Sequence, residues 1–190
     1  MILGICGSGR KEGNTGAIVE EVLKGTGSRT EMVWLIDLNL GYCDGCMRCT
    51  MEGACWQKDG MTALYQKMID CEAMVIGSPC YYGDVSGLIK SMMDRSIALG
   101  YMGVGKESEV PMHGRKPLAE KPAVIVSAVA GHGAERALET MERYVGYGEM
   151  KLMGKLAAVA GMSDVREMKE IMNEARGLGV KIAEALKAAK

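Results

Sequence analysis

Five short segments of this 190-residue chain, 2–6 (ILGIC), 32–36 (MVWLI), 73–76 (AMVI), 123–130 (AVIVSAVA) and 156–160 (LAAVA), are almost continuously apolar. A strand solvated on one face alternates apolar with polar residues, so runs like these predict strands covered on both faces. The intervening segments carry apolar residues at helical spacing. They are Ile18, Val19, Val22 and Leu23; Met61, Leu64 and Met68; Val85, Leu88, Ile89 and Met92; the stretch 137–145; and Val165, Met168, Met172, Ala175, Ile182 and Leu186. Strand and helix in strict alternation predict one parallel sheet with helices on both faces.

A chain of 190 residues suits one core, and no internal repeat, low-complexity tract or linker divides it. We therefore expect a single α/β domain over residues 1–190, a three-layer sandwich whose five strands follow the flavodoxin-like order 2-1-3-4-5. In that order the ligand crevice lies at the carboxyl ends of strands 1 and 3. The least regular stretches are 38–60, after strand 2, and 101–119. No run of eighteen apolar residues occurs, and no basic segment leads into an apolar one at the start. The net charge of −1 with scattered Lys and Arg offers no basic face. These features predict a cytoplasmic protein with neither nucleic acid nor membrane among its partners. Seven cysteines without a secretory signal then point to a reducing compartment, where thiols serve as ligands or redox groups. Phe is absent and Met reaches 17, which we read as Met filling the gaps of the core.

Strand 1 runs directly into GSGRKEGNTG, residues 7–16, and then into a helix. Small residues let the backbone curl so that its N–H groups and the helix N-terminus face an anion. Ser8, Asn14 and Thr15 can add side-chain donors and Arg10 a charge. The segment departs from a Walker loop, because Asn14 follows Gly13 where that motif needs Lys. It departs from G-x-G-x-x-G as well, since Glu12 takes the third glycine position. Asp37 could imitate the ribose-binding acid of dinucleotide folds, but it lies further along the chain than that pattern asks. A Gly-rich turn without a ligand is the bland alternative.

The other wall of the crevice begins with GSPCYYGDVSGLIKSMMDRS, residues 77–96. Pro79 and Gly83 shape a loop whose backbone can meet a ring edge, Tyr81 and Tyr82 offer aromatic faces, and Asp84 is placed to cap the next helix. Together the two segments closely resemble the NADPH-dependent FMN reductase group of flavodoxin-like proteins. That group binds the FMN phosphate through GSxRxxGNT and the isoalloxazine ring through SPxYxGxVSGxLKxxxDR. The resemblance spans residues 1–96 and continues more weakly at SAVAGHGAE, residues 127–135. It implies phosphate contacts from the motif residues Ser8, Arg10, Gly13, Asn14 and Thr15. It also implies ring contacts from Ser78, Pro79, Cys80, Tyr81, Tyr82 and Gly83, with Gly131 and His132 closing the pocket. Cys80 stands where relatives often have Val, and we expect a buried apolar thiol there. Asp94 and Arg95 match the group's DR, and with Lys90 they are expected to be structural.

CDGCMRCTMEGAC, residues 43–55, sets Cys43, Cys46, Cys49 and Cys55 in a C-x2-C-x2-C-x5-C pattern. Thiolates are soft ligands, and short spacings let one loop wrap one inorganic core. The bacterial ferredoxin run has a shorter last interval followed by Pro, whereas Trp56 follows here. A zinc site would ordinarily bring a second C-x2-C knuckle. Zinc, and free or disulfide-paired thiols in a lid loop, stay open as alternatives. The spacing also resembles the compact motif of the archaeal and anaerobic iron–sulfur flavoproteins, a branch of the same group. That resemblance implies a [4Fe–4S] cluster beside FMN, a redox protein relaying electrons between them, and a ferredoxin-like carrier as donor. The rival expectations are an NAD(P)H-dependent FMN or quinone reductase whose cysteines are only a lid, and a zinc-stabilised binding domain without flavin. Cys6 and Cys71 are expected in the core, and His113 in solvent. A homo-oligomer is expected, because the cysteine loop leaves an outer strand while the flavin ring belongs over the loops after strands 3 and 4. Packing one chain's cysteine loop on another's crevice would also cover Tyr42 and Trp56.

Overall fold

The computed structural model describes residues 1–102 and 115–189. Its strands are β1 (Ile2–Cys6), β2 (Thr30–Trp34), β3 (Ala73–Tyr81), β4 (Asp84–Val85), β5 (Pro122–Val129) and β6 (Lys151–Val159). Five of them form a parallel sheet in the order β2-β1-β3-β5-β6, and β4 pairs with β3 off that path. The expected order of parallel strands therefore holds, with β5 and β6 as its fourth and fifth members. The strand count is six rather than five among the described residues. The addition arises at Tyr82 and Gly83, whose φ values of 52° and 74° make a two-residue turn of the I′ kind. That turn pairs Tyr81 with Asp84 and Cys80 with Val85.

The apolar runs read as they do because each strand feeds two cores. On one face, Leu3, Ile5, Met74, Ile76 and Ile125 pack with α3 (Gly60–Asp70), α4 (Gly87–Arg95) and α5 (Ala134–Tyr147). On the other, Ile2, Val75, Val124 and Val126 meet α1 (Asn14–Gly25) and α6 (Lys169–Ala188). Successive strand residues point to opposite faces, so a doubly covered strand has no polar side to show. The remaining helix, α2 (Arg48–Glu52), is a single turn inside the 38–60 stretch, which the sequence pattern left irregular.

Several boundaries move for local reasons. Expected strand 2 ends at Trp34, because Leu35–Leu38 winds into a 3-10 turn. Strand 3 runs on through the turn-like residues 77–79, where Ser78 pairs in register with Ser127 and Pro79 with Ala128. Val165 belongs to a 3-10 turn ahead of α6. No helix among the described residues is long and apolar enough to cross a membrane. His113 lies outside the described residues, as does most of the irregular 101–119 stretch.

Candidate functional site

The carboxyl ends of β1 and β3 are tied together before any ligand is considered. Gly7 N–H donates to Gly77 O at 2.8 Å. Ser86 Oγ donates to Gly7 O at 2.8 Å, while Ser86 N–H donates to Ser78 Oγ at 2.9 Å. Ser78 Oγ in turn donates to Pro79 O at 2.8 Å. Both serines are buried, so these bonds offset the loss of water around their hydroxyls while they tie the crevice walls together.

From this anchor the 7–16 turn rises into α1. Ser8 is buried and closes the turn on itself, accepting from Arg10 N–H at 3.1 Å and donating to Arg10 O at 3.0 Å. Gly13 occupies the N-cap of α1 with no side-chain cap bond, so the first N–H groups of that helix have no side chain seated on them. Gly13 N–H turns back to Arg10 O and Ala17 N–H joins the helix ladder at Gly13 O, so the N–H groups of Asn14, Thr15 and Gly16 form an anion seat. Thr15 is buried in the first turn and Arg10 is exposed beside it. Asn14 departs from expectation: its amide donates to Ser163 O at 3.0 Å and accepts from Val165 N–H at 3.1 Å. Its side chain clamps the turn ahead of α6, which leaves only its backbone N–H at the open start of α1. Asp37 pairs with Lys11 at 2.8 Å.

The second wall presents the β3–β4 hairpin. Tyr82 takes a left-handed backbone conformation that bulky residues rarely adopt, and its side chain is fully exposed. Strain of this kind persists where surroundings impose it, and ligand clamps are common places for it. Tyr81 is exposed as well, so two aromatic faces stand at the crevice mouth. Cys80 is half-buried rather than buried, and its Sγ donates to Gly133 O at 3.1 Å. Burial pushes this thiol up, which suits a protonated staple between the hairpin and the loop carrying Gly131 and His132. Those two residues are exposed at the end of β5. Asp84 does not cap α4. It sits in β4, where its Oδ1 accepts from Val85 N–H at 2.7 Å, and the helix starts three residues later. Ser86 is the cap, accepting from Ile89 N–H at 3.3 Å.

At the far end of α4 lies the cysteine loop. Cys43, Cys46, Cys49 and Cys55 all line one cavity of about 40 Å³, together with Asp44, Met47, Trp56 and Arg95. All four are free thiols. Burial pushes the Cys49 thiol up, and the nearby Cys55, Cys46 and Cys43 push it further. Mutual repulsion of that sort is relieved by a cation among them, and four soft donors suit iron–sulfur or zinc. Among the described residues no group of three or more His, Cys, Asp or Glu side chains is drawn in to metal-holding separation. The four thiols fit such a group by their donor chemistry and by the cavity they share, and not by their separations.

The loop is held from inside. Trp56 Nε1 donates to Asp44 Oδ2 at 3.2 Å, Gln57 Nε2 to Tyr42 O at 2.8 Å, and the Arg48 guanidinium lies 5.6 Å from the Trp56 ring centre. Asp44 is kept below the usual carboxylate range by hydrogen bonds from the Cys46 thiol and then from its N–H. Beneath, Asp59 accepts from Gly41 N–H at 2.9 Å and from Met61 N–H at 3.0 Å, so one carboxylate closes the loop and caps α3. Burial pushes its carboxyl up, yet the bonds from Arg95, Gly41 and Met61 bring it below its ordinary value.

Two residues that shape these sites, Ser86 and Asp59, escaped the sequence reading, and so did the partners of a third, Arg95. Ser86 had a signal, a Ser just before a helical pattern, but Asp84 nearby competed for the same role. Asp59 also precedes a helical run. Arg95 had one as well, the DR match that marks it with Asp94 as structural, but nothing local separates it from Asp94 and Lys90 as one polar face. The structure splits the pair, with Asp94 exposed against Lys90 at 2.5 Å and Arg95 only 1% exposed. Cys6 and Cys71 are buried as expected, and burial pushes the Cys6 thiol up to about 11.

Comparison with known proteins adds to this geometry. The profile of the NADPH-dependent FMN reductase family matches residues 1–165. An iron–sulfur flavoprotein of Methanocaldococcus jannaschii is 31% identical over 201 residues, covering 100% of this chain and 98% of its own. Among solved structures, a flavone reductase superposes with a TM-score of 0.73 at 20% identity, covering 98% of this chain and 62% of its own, so this chain spans under two thirds of that protein. A WrbA-like flavodoxin from Agrobacterium tumefaciens gives 0.65 at 16% identity, with 100% and 98% covered. At such identities the two structures speak for the fold alone.

Proposed function

The chain belongs to the NADPH-dependent FMN reductase family, within its iron–sulfur flavoprotein branch, and from that premise we propose that it relays electrons between FMN and a [4Fe–4S] cluster. The family makes it a flavin-dependent oxidoreductase. The observation that carries the cluster is the convergence of all four cysteines of the 43–55 loop on one cavity.

In this reading the first turn of α1, with Ser8, Arg10, Gly13 and Thr15 and the backbone of Asn14, receives the FMN phosphate. Ser78 and Pro79 lead into the hairpin where Cys80, Tyr81, Tyr82 and Gly83 meet the ring, and Gly131 and His132 close over it. A Cβ at Gly9 or Gly131 would meet nothing within 4 Å, so the crevice leaves room beside both loops. Cys43, Cys46, Cys49 and Cys55 hold the cluster as thiolates. FMN supplies two-electron acceptance with one-electron release, and the cluster a one-electron station. The chain's own residues position the two groups, keep water from them and supply their surrounding charge. No side chain acts as a nucleophile. A ferredoxin-like carrier supplies the electrons.

The two stations stand apart within one chain. The hairpin and the cysteine loop occupy opposite ends of α4, whose nine residues span about 13 Å at 1.5 Å each. The exposed Tyr42, Met47, Met51 and Trp56 on the cysteine loop, and Tyr81 and Tyr82 at the crevice, are apolar surfaces that a second copy would cover. We therefore assign the working form to a homo-oligomer in which the cluster loop of one chain faces the flavin of another.

A variant unable to bind FMN and a Cys49→Ser variant test the relay. Mixed under conditions of subunit exchange, the pair is expected to recover cluster-to-flavin electron transfer that neither shows alone. A stable monomer with rapid internal transfer would end the oligomeric arrangement. The second reading, hydride transfer from NAD(P)H to the flavin, takes its support from the family's description. Steady NADPH oxidation by the cluster-free variant at the parent rate would favour it over the relay.

A further inference from the structure

Arg95 is among the largest fully buried side chains of the described protein, and its charge lies at the cysteine cavity. The guanidinium is held as a fork: Nη1 donates to Asp59 Oδ2 at 2.7 Å and to Gly41 O at 3.1 Å, and Nη2 donates to Asp59 Oδ1 at 3.0 Å. Its backbone is fixed as well, since Tyr65 Oη donates to Arg95 O at 2.8 Å. The remaining contact of Nη2 is Cys55 Sγ at 3.5 Å. Nε is buried without a hydrogen-bond partner. Burying an Arg to hold a loop would be satisfied by Asp59 and Gly41 alone, yet the fork carries an N–H on to a sulfur.

We propose that Arg95 tunes the reduction potential of the cluster through its charged hydrogen bond to Cys55. The inference rests on the cluster reading above. Reduction by one electron adds negative charge to the thiolate-ligated core, with no bond made or broken. A guanidinium that stays cationic and points an N–H at one ligand sulfur stabilises that added charge and raises the potential. Asp59 works the other way: it fixes the fork but sets a carboxylate behind it that offsets part of the positive field. The two partners of one ion pair therefore have opposite effects on the couple, although their loss weakens the same structural contact.

That opposition makes the test. EPR-monitored titration with dithionite is run on the anaerobically prepared full chain, its Arg95→Gln and Arg95→Lys variants, and Asp59→Asn, whose amide oxygen can keep the α3 cap and the Arg95 Nη2 bond while its NH2 gives up the bonds from Gly41 N–H and Arg95 Nη1. The parent titration first establishes that a cluster is present. Arg95→Gln is expected to make cluster reduction about tenfold less favourable, a downward shift of about 59 mV for one electron. Arg95→Lys, with charge but no fork, shifts it down by less, and Asp59→Asn shifts it up. The flavin couple in the same samples moves by less than about threefold. Should Arg95→Gln fail to fold, Arg95→Lys and Asp59→Asn still give the required pair of signs. Shifts of the same sign, or unchanged potentials in a four-iron protein, would overturn the role of Arg95. A parent protein holding zinc and no sulfide would end the relay reading instead.

Discussion

Cys49→Ser is expected to strip the protein of most of its iron while leaving its flavin in place. Cys49 lies on α2 and is half-buried, facing the same cavity as the other three thiols. A serine there replaces a soft thiolate by a hydroxyl that stays protonated near neutral pH, so one of four ligands is lost. A cubane held by four cysteines should then fall from about four iron per chain to below about one. The crevice is built from the other end of α4 and from β1, β3 and β5, and it shares no hydrogen bond with Cys49 among those described. Iron, sulfide and flavin assays on the same preparation check this. Iron retained at the parent level would remove Cys49 from the ligand set, and equal loss of iron and flavin would mark collapse of the chain instead of loss of a ligand.

Gly9→Glu is expected to do the converse. Gly9 is exposed in the turn before α1, its φ lies outside the left-handed region, and a Cβ there would touch nothing within 4 Å. The fold should tolerate the side chain. The anion seat should not, because a carboxylate a few ångströms from a phosphate dianion repels it by roughly 1–3 kcal/mol per charge at partly exposed dielectric. Flavin affinity is therefore expected to fall at least about tenfold, with iron unchanged. Fluorescence titration of the flavin-stripped protein measures it. The flavin that acid releases from the parent should be FMN, since the cradle seats a terminal monophosphate and no second nucleotide fingerprint follows. FAD in that extract, or parent-like affinity in the variant, would contradict the assignment of the 7–16 turn.

Much of this fold was legible because burial on both sheet faces writes itself as uninterrupted apolar sequence. Residues 2–6 and 123–129 are strands for that reason and no other. What the pattern hid was set by local chemistry. The carboxyl half of β3 contains Gly, Ser and Pro, which read as a turn, yet pairing in register with β5 keeps it extended. β4 exists because Tyr82 accepts a strained backbone, and aromatic propensity says nothing of that. The site was legible as motifs and less so as contacts. Asn14 stands where a phosphate ligand is expected, but the turn ahead of α6 claims its amide, a partner some 150 positions away that no local window reveals. The partners of Arg95 were hidden for a similar reason. Beside Asp94 it looks like surface charge, and only the return of the 38–60 loop over the end of α4 buries it against Asp59 and Cys55.

Whether the four cysteines hold an iron–sulfur cluster in a protein that also binds FMN is tested most directly by the metal, sulfide and flavin content of the anaerobically purified protein, measured together with the visible spectrum. The expected result is about four iron and four acid-labile sulfides per chain, beside one FMN, with a broad cluster absorbance beneath the flavin bands. Stoichiometric zinc with no sulfide, or a flavin spectrum alone from a preparation kept free of oxygen throughout, would contradict it.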